Sequence, residues 1–378
     1  RRGPAPARPV EYRADDELPA AARAARRTRG TPLPLRTAVV VTKTTRLEVE
    51  RQKNPGLGTA ALREELARQG VDYGRLESSH EAHASSLAGV LAALERWGAR
   101  ARVVRGHLLR PADLAGADAA LACGGDGTFL QTCTHIGGSR LPVVGVNTDV
   151  VGSQGALTCC AAGGDFHEGV LARLAAGDFA WKRLRRIQIH LIKPDGTEKT
   201  LPYLGLNEVF LSEMDPCRPS IFNIGVDGEE RQTVRSSGLI ASSGTGSTAW
   251  FTSAARVHQS TVMRVLDAAG INTNFMHANS LKDQINSQIA FNPESDKLGF
   301  VVREPIINRA HNVKSRFGHC RRLSVRSLGW NAALVVDGLC AVPFAFGSQA
   351  VLTIADEAHS IHTVEFDGTN DDNNQCSS

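Results

Sequence analysis

The tightest constraint in this chain is residues 120–128, Ala-Leu-Ala-Cys-Gly-Gly-Asp-Gly-Thr. The apolar run over 118–123 has the length and bulk of a buried parallel strand, and it stops abruptly at Gly124-Gly125-Asp126-Gly127-Thr128. Beyond the turn, Phe129, Leu130, Cys133 and Ile136 recur at helical spacing. Strand, glycine turn and helix in that order gather backbone amides and a helix N-terminus around an anion. The flanking glycines lack the Cβ atoms that would hold a phosphate or sugar away, and one carboxylate, Asp126, is left at the lip. Gly-Asp-Gly is also ordinary tight-turn chemistry, so the functional reading depends on the strand before it and the helix after it.

The surrounding pattern repeats that alternation. Apolar runs over 37–42, 101–104 and 143–146 read as further buried strands, with helical patterns over 58–69 and 81–97 between them. Such alternation predicts a parallel, doubly wound sheet with ligands at the carboxyl ends of its strands. The glycine turn and Asn147-Thr148-Asp149 both fall at such ends. From about residue 179 the period shortens to two, as in 186–192 and 222–226, punctuated by Pro194-Asp195-Gly196 and Asp227-Gly228. A second, mostly antiparallel β domain is expected there, with strands also over 298–302, 322–325, 332–336 and 351–354. One long helix over 249–268 and a weakly patterned insertion over 270–293 interrupt it. The expected division is a transit-like, unstructured segment over 1–36, an α/β nucleotide-binding domain over 37–150 and a β-rich substrate-binding domain over 151–354. A return segment over 355–368 and a disordered polar tail over 369–378 follow.

Composition narrows the partners. A chain of 378 residues, 42% hydrophobic and 22% charged, can bury the core of two globular domains. Its net charge of +4 is mild and owed partly to the arginine-rich first thirty residues, so no nucleic-acid partner is expected. No apolar run approaches the roughly 20 residues that span a bilayer, and no membrane partner is expected. The eight cysteines show no CxxC or metal-ligand spacing, which suits reduced thiols in an intracellular compartment. Residues 1–36, rich in Arg, Ala and Pro, resemble a mitochondrial transit remnant or a disordered linker, and the absence of Met at position 1 points to a missing or processed start.

A second glycine turn, Ser242-Ser243-Gly244-Thr245-Gly246-Ser247-Thr248-Ala249-Trp250, follows the apolar Leu239-Ile240-Ala241. Its amides, hydroxyls and following helix suit a phosphate or ribose. It formally matches G-x-G-x-x-A with Asp267 downstream, yet it lies in the β-rich half, which argues against a dehydrogenase. Asn207-Glu208 places an amide and a carboxylate inside an apolar strand, where they either bond internally or face a ligand. Val336-Asp337-Gly338 reads as a β-turn. His80 and His83 lie one helical turn apart without a third ligand and read as exposed helix residues, and no metal site is expected.

Taken together, these motifs resemble the NAD kinase family, most closely its mitochondrial animal branch. The matching residues are Gly124-Gly-Asp-Gly-Thr128, Gly145-Val-Asn-Thr-Asp149, Leu206-Asn-Glu-Val209, Ser236-Ser-Gly238, Gly244-Thr-Gly-Ser-Thr-Ala-Trp250, Arg303-Glu-Pro-Ile306 and Val335-Val-Asp-Gly338. The likeness spans roughly residues 37–365. It implies a Rossmann-like N-terminal domain, a β-sandwich-like C-terminal domain, and phosphorylation of the adenosine-ribose 2′-hydroxyl of NAD by ATP with Mg²⁺ in a homodimer of the mitochondrial matrix. Asp126 would be the general base. Gly124, Gly125, Gly127, Thr128, Asn147, Asp149, Asn207, Glu208, Ser237, Thr245, Gly246, Ser247, Thr248, Ala249, Trp250 and Ser253 would bind nucleotides. The chain departs from the usual pattern at Ser237, where most members carry Asp, at Ser153-Gln154-Gly155-Ala156-Leu157, and at Trp250 in place of Tyr. It also has a shorter insertion near 194–199. Two alternatives remain: a lipid kinase of the diacylglycerol or sphingosine type, which shares the GGDGT turn, and a non-catalytic NAD-binding regulator.

Overall fold

The strands over 37–42, 119–124 and 143–147 carry no polar face, because both sides of the sheet are covered there. In the computed structural model, which describes residues 30–138, 140–150, 155–161, 166–272, 274–307 and 315–366, β1 (Thr37–Thr42) leads into α1 (Arg46–Lys53), α2 (Thr59–Arg68) and α3 (Tyr73–Arg96). There follow β2 (Arg100–Arg105), β3 (Ala119–Gly124), α4 (Asp126–Thr134), β4 (Val143–Asn147), the short β5 (Cys160–Ala161), α5 (Ala172–Ala176) and β6 (Ala180–Leu184). The strand order is β2-β1-β3-β4, then Ile361–Glu365, then β6, with β5 beside β4. The pairs among β1 to β4 are parallel. Val40, Leu121 and Val144 point to the α3 side with Val90 and Leu94, while Val39, Ala120 and Ala122 point to Phe129 and Cys133 of α4. This is the doubly wound sheet that the alternation implied.

The second half is a sandwich. Its strands are β7 (Ile187–Ile192), β8 (Glu198–Thr200), β9 (Glu208–Glu213), β10 (Ser220–Val226), β11 (Gln232–Ser236), β12 (Gly238–Ser242), β13 (Leu298–Arg303), β14 (Phe317–Cys320), β15 (Arg322–Ser327), β16 (Ala332–Val336), β17 (Cys340–Pro343) and β18 (Gln349–Ile354). They form two six-stranded antiparallel sheets, β11-β10-β15-β18-β7-β8 and β14-β13-β12-β9-β16-β17. Alternate residues of both sheets, among them Ile189, Phe222, Leu239, Phe300 and Leu352, meet in one core. The last strand, β19 (Ile361–Glu365), returns to the first sheet between β4 and β6.

Three expectations change. Ordered packing starts before residue 37: the Gly30 amide donates to the Phe179 carbonyl (2.7 Å), the Leu33 amide to the Leu174 carbonyl (2.9 Å), and Leu35 is buried in the core. Residues 1–29 and 367–378, and with them most of the expected transit-like segment and the whole polar tail, lie outside the described residues. The long helix expected over 249–268 is two, α6 (Trp250–Ala255) and α7 (Gln259–Ala268). Asn286 is the cause: its side chain accepts from the Val257 amide (2.9 Å) and donates to the Val257 carbonyl (3.0 Å), an alternative to helical bonding for that peptide. Asn286 belongs to α8 (Phe275–Ser287), so the supposed weakly patterned insertion is a helix, capped by the Asn274 side chain.

Candidate active site

β3 ends at Gly124, which pairs in register with Asn147 at the end of β4, and α4 starts at Asp126. A Cβ on Gly124 would lie 2.2 Å from Thr128 Oγ1, so the turn closes this tightly only with glycine there. The half-buried Asp126 accepts the Leu157 amide at 2.7 Å on Oδ1 and the Ala156 amide at 3.2 Å on Oδ2. Each carboxylate oxygen has a second lone-pair site, so both retain the capacity to accept a hydroxyl proton. These contacts come from the departing segment 153–157, of which Ser153 and Gln154 lie outside the described residues. Gly125, Asp126, Gly127 and Thr128 line an open cavity of about 660 Å³ together with Lys43, Thr44, Val49, Gln52, His107 and Gln131. A carboxylate, an ammonium and the amino end of a nine-residue helix therefore share one opening.

Asn147 and Asp149 are not part of that lining. Both are 7% exposed and stand behind the cavity. Asn147 Oδ1 accepts the Asp149 amide (3.0 Å), and Asp149 Oδ2 accepts from Ser79 Oγ (2.5 Å) and pairs with Lys43 Nζ (3.3 Å). Their observed contacts aim Lys43. His83, expected to be exposed, is buried: its ring joins Thr42 Oγ1 (2.9 Å) to Thr148 Oγ1 (2.8 Å), and His80 bonds Thr45 Oγ1 (2.8 Å). Burial, with the nearby Lys43 charge, pushes the His83 imidazole down to about 4, so it is neutral near pH 7. Together the two histidines brace the loops behind the glycine turn.

A second polar group forms in the sandwich where β9 begins. The amides of Leu206, Asn207 and Glu208 all donate to the Asp337 carboxylate, at 2.7, 2.8 and 3.0 Å. The carbonyls of Leu206 and Asn207 accept from Ser243 Oγ and Ser242 Oγ. Asp337 and Gly338 both take left-handed φ, 50° and 68°, so the β-turn expected at 336–338 is present. Its carboxylate nevertheless reaches back to hold the Asn207 strand, a role the sequence reading missed. No local signal separates it from an ordinary turn aspartate, because the strand it holds lies 130 residues earlier.

Three buried atoms in this group have no hydrogen-bond partner among the described residues: Asn207 Oδ1, Glu208 Oε2 and Thr245 Oγ1. Buried polar atoms are rarely left so, which makes this cluster the strongest ligand signal in the sandwich. A Cβ on Gly246 would stand 2.1 Å from the Asn207 carbonyl oxygen, so the second glycine turn rests directly on that strand. The turn is less suited to a phosphate than expected. The amides of Gly246, Ser247 and Ala249 are spent on Ser243 Oγ and the Gly244 and Gly246 carbonyls, and α6 has only six residues. Ser247 is internal, donating to the Gly244 carbonyl at 2.6 Å, while Thr248 and Ser253 are exposed. Trp250, 40% exposed, lies 4.8 Å from the Phe210 ring, with the Arg303 guanidinium 5.2 Å from its centroid. Ser237 bonds the Arg303 carbonyl, so Ser237 and Trp250 meet around Arg303, which was not among the expected site residues.

Burial, reinforced by Asp337, pushes Glu208 up to about 7 from 4.5. Between those values the folded chain holds a proton that the unfolded chain releases, so this stabilising contribution is full below 4.5 and is lost as pH rises through 7. Glu208→Gln removes the buried charge and is expected to stabilise the chain at pH 8 by up to about 3 kcal/mol, with no gain at pH 5. Thermal unfolding at both pH values reads this, and equal shifts at the two would count against the buried-charge account.

The two groups occupy different halves, and the cavity at Asp126 contains no residue beyond Gln131. Leu206 joins them: it packs in one cluster with Phe129, Cys133 and Ile136, directly under α4. A doubly wound sheet bearing a glycine-framed carboxylate, tied to a sandwich bearing an unsatisfied amide–carboxylate pair, places one polar group at the end of each half. Residues 70–177 match the family model for the ATP-NAD kinase N-terminal domain. The chain is 29% identical over 395 residues to "NAD kinase 2, mitochondrial" of Xenopus tropicalis, covering 88% of this chain and 91% of that one. It is 30% identical over 361 residues to the Homo sapiens protein of that name, covering 84% and 82%. The crystal structure of yeast NADH kinase complexed with NADH shares the fold, with a TM-score of 0.53 at 17% identity over 89% of this chain and 84% of that one. The chain belongs to the NAD kinase family.

Proposed function

We propose that this chain transfers the terminal phosphoryl group of ATP to the adenosine-ribose 2′-hydroxyl of NAD, giving NADP, with Asp126 as general base. The observation that carries the reading is Asp126 itself: a half-buried carboxylate on a glycine turn, at the lip of a cavity that also holds Lys43. The base takes the hydroxyl proton as the oxygen attacks phosphorus, and the bond from phosphorus to the bridging oxygen of ADP breaks. Lys43, aimed by Asp149, offsets charge on the donor's phosphates. Asn207, Glu208 and Thr245 supply the unsatisfied polar atoms that read the NAD sugar and base, and Trp250 supplies a ring face. Gly125 and Gly127 leave room for the ribose, and Gly124 lets the turn close on Thr128. Gly246 and Ala249 seat the turn that carries Thr245, with Ser247 as its internal support; Thr128 packs against Gly124 in the first turn, and Ser237, Thr248 and Ser253 lie at the exposed margin.

Among the described residues no cluster of three or more His, Cys, Asp or Glu could cage a metal. A single cavity carboxylate suits Mg²⁺ arriving on ATP, where it would neutralise phosphate oxygens with Asp126 as the available protein ligand. We place the enzyme in the mitochondrial matrix as a homodimer; the names of its vertebrate relatives support the organelle.

Incubation of the purified chain with NAD, ATP and Mg²⁺ is expected to yield NADP, read by an NADP-specific dehydrogenase. Radiolabel from ATP is not expected to enter diacylglycerol. Label in the lipid, or binding of NAD without NADP formation, would select one of the two alternatives.

A further inference from the structure

One buried charge takes no part in binding or proton transfer. Arg186 lies between β6 and β7, where the chain leaves the first sheet for the sandwich, and is only 2% exposed. Its guanidinium donates to four backbone carbonyls: Nε to His359 (2.5 Å), Nη1 to Cys133 (3.1 Å) and Ile136 (2.7 Å), and Nη2 to Gly137 (2.8 Å). Three of these belong to the last turn of α4 and the residues just after it. The other end of α4 carries Asp126, about 14 Å away along a nine-residue helix. A cation at a helix C-terminus is favourable, and a planar fork bonded on both sides stops the helix from sliding or turning.

The same charge acts on the second group. It steadies the buried Asp337 carboxylate, and Asp337 in turn favours the charged guanidinium, although burial still holds that group down at about 10. Asp337 holds the amides of Leu206, Asn207 and Glu208. The Arg186 carbonyl also accepts the Ala355 amide at 2.8 Å, and His359 precedes the returning β19. One side chain thus bonds the end of the helix that bears Asp126 and the segment leading into the return strand, and the next residue, Ile187, exchanges backbone hydrogen bonds with Gly205 (2.7 and 3.0 Å), just before the Leu206–Glu208 amides.

We infer that Arg186 is a positioning residue that keeps Asp126, at the far end of α4, in register with the Asn207–Glu208 strand held by Asp337. This rests on the reading of Asp126 as base. A lysine ammonium donates from one point and cannot span carbonyls on both sides of the fork. In the full-length chain, Arg186→Lys is therefore expected to lower kcat for NADP formation by about 10- to 100-fold. KM for NAD, and its Kd by calorimetry, should stay within about threefold, because the NAD-reading atoms keep their places. A kcat within twofold of wild type overturns the inference. So does a loss of kcat matched by an equal loss of NAD affinity, the signature of a generally loosened fold. If Arg186→Lys does not fold, Arg186→Gln is measured in its place. Failure of both to fold also overturns the inference, since such a residue is a requirement of the whole chain and not a device for placing Asp126. A wild-type chain that forms no NADP instead defeats the functional reading itself.

Discussion

Asp126→Asn abolishes nearly all NADP formation while leaving NAD binding in place: kcat is expected to fall by about 10²- to 10⁴-fold, the span for a positioned general base. The asparagine oxygen can keep the 2.7 Å bond to the Leu157 amide, so the turn stays folded. What disappears is the capacity to accept a proton. The carboxylate is half-buried, and its hydrogen bonds among the described residues go to Ala156 and Leu157, so the unpartnered atoms of the Asn207 group are untouched by the change. Calorimetric titration of NAD into Asp126→Asn should therefore give a Kd within about threefold of wild type. Turnover within tenfold of wild type would remove Asp126 as base, and loss of NAD affinity would reassign it to binding.

Gly246→Ala is expected to act in the opposite way, on affinity before chemistry. The new methyl would stand 2.1 Å from the Asn207 oxygen, 2.5 Å from its carbonyl carbon and 2.7 Å from its Cα. All three are backbone atoms, and their strand is held by Asp337 on one side and by Ser242 and Ser243 on the other. Neither partner can rotate away, so the turn and the strand must separate. Overpacking of this kind costs about 1–3 kcal/mol, and here it falls on Asn207, Glu208 and Thr245. The Kd for NAD should rise by about 10- to 100-fold, with a lowered melting temperature. An unchanged Kd would show that these atoms do not read NAD.

The parts of the fold that could be read locally were those governed by short-range periodicity. The continuous apolar runs of β1, β3 and β4 are buried on both faces, which is why they lack polar alternation. The alternating runs 187–192 and 220–226 have one face in the sandwich core. The helix over 46–53 went unread although Thr45 and Glu48 form its capping box, because its mean hydropathy is low and only Leu47 and Glu50 are buried. The break between α6 and α7 was invisible because its cause, Asn286, lies 29 residues downstream of Val257.

The site divides along the same line. Asp126 between its glycines, and Asn207-Glu208 in an apolar strand, stand out by residue type against their immediate neighbours. Asn147 and Asp149 sit at the expected strand end, yet Asp149 turns toward Ser79 and Lys43 while Asn147 accepts the Asp149 amide, and a motif alone does not say which way its side chains face. Lys43, Asp337 and Arg303 carry no local signature that separates them from a surface lysine, a turn aspartate and a strand-end arginine. Asp337 meets Asn207 across 130 residues and Lys43 meets Asp149 across 106.

By itself, then, the amino-acid order determined a doubly wound half, an antiparallel half and a glycine-framed carboxylate, since strand burial, helix period and glycine turns are properties of neighbours within about one helical turn. Only the tertiary structure decided which buried polar groups are satisfied within the frame and which are left without partners among the described residues. That choice depends on where buried donors and acceptors find partners: Asp337 reaches Asn207 because β9 and β16 pair in one sheet, and Arg186 reaches the end of α4 where the chain crosses between the two halves.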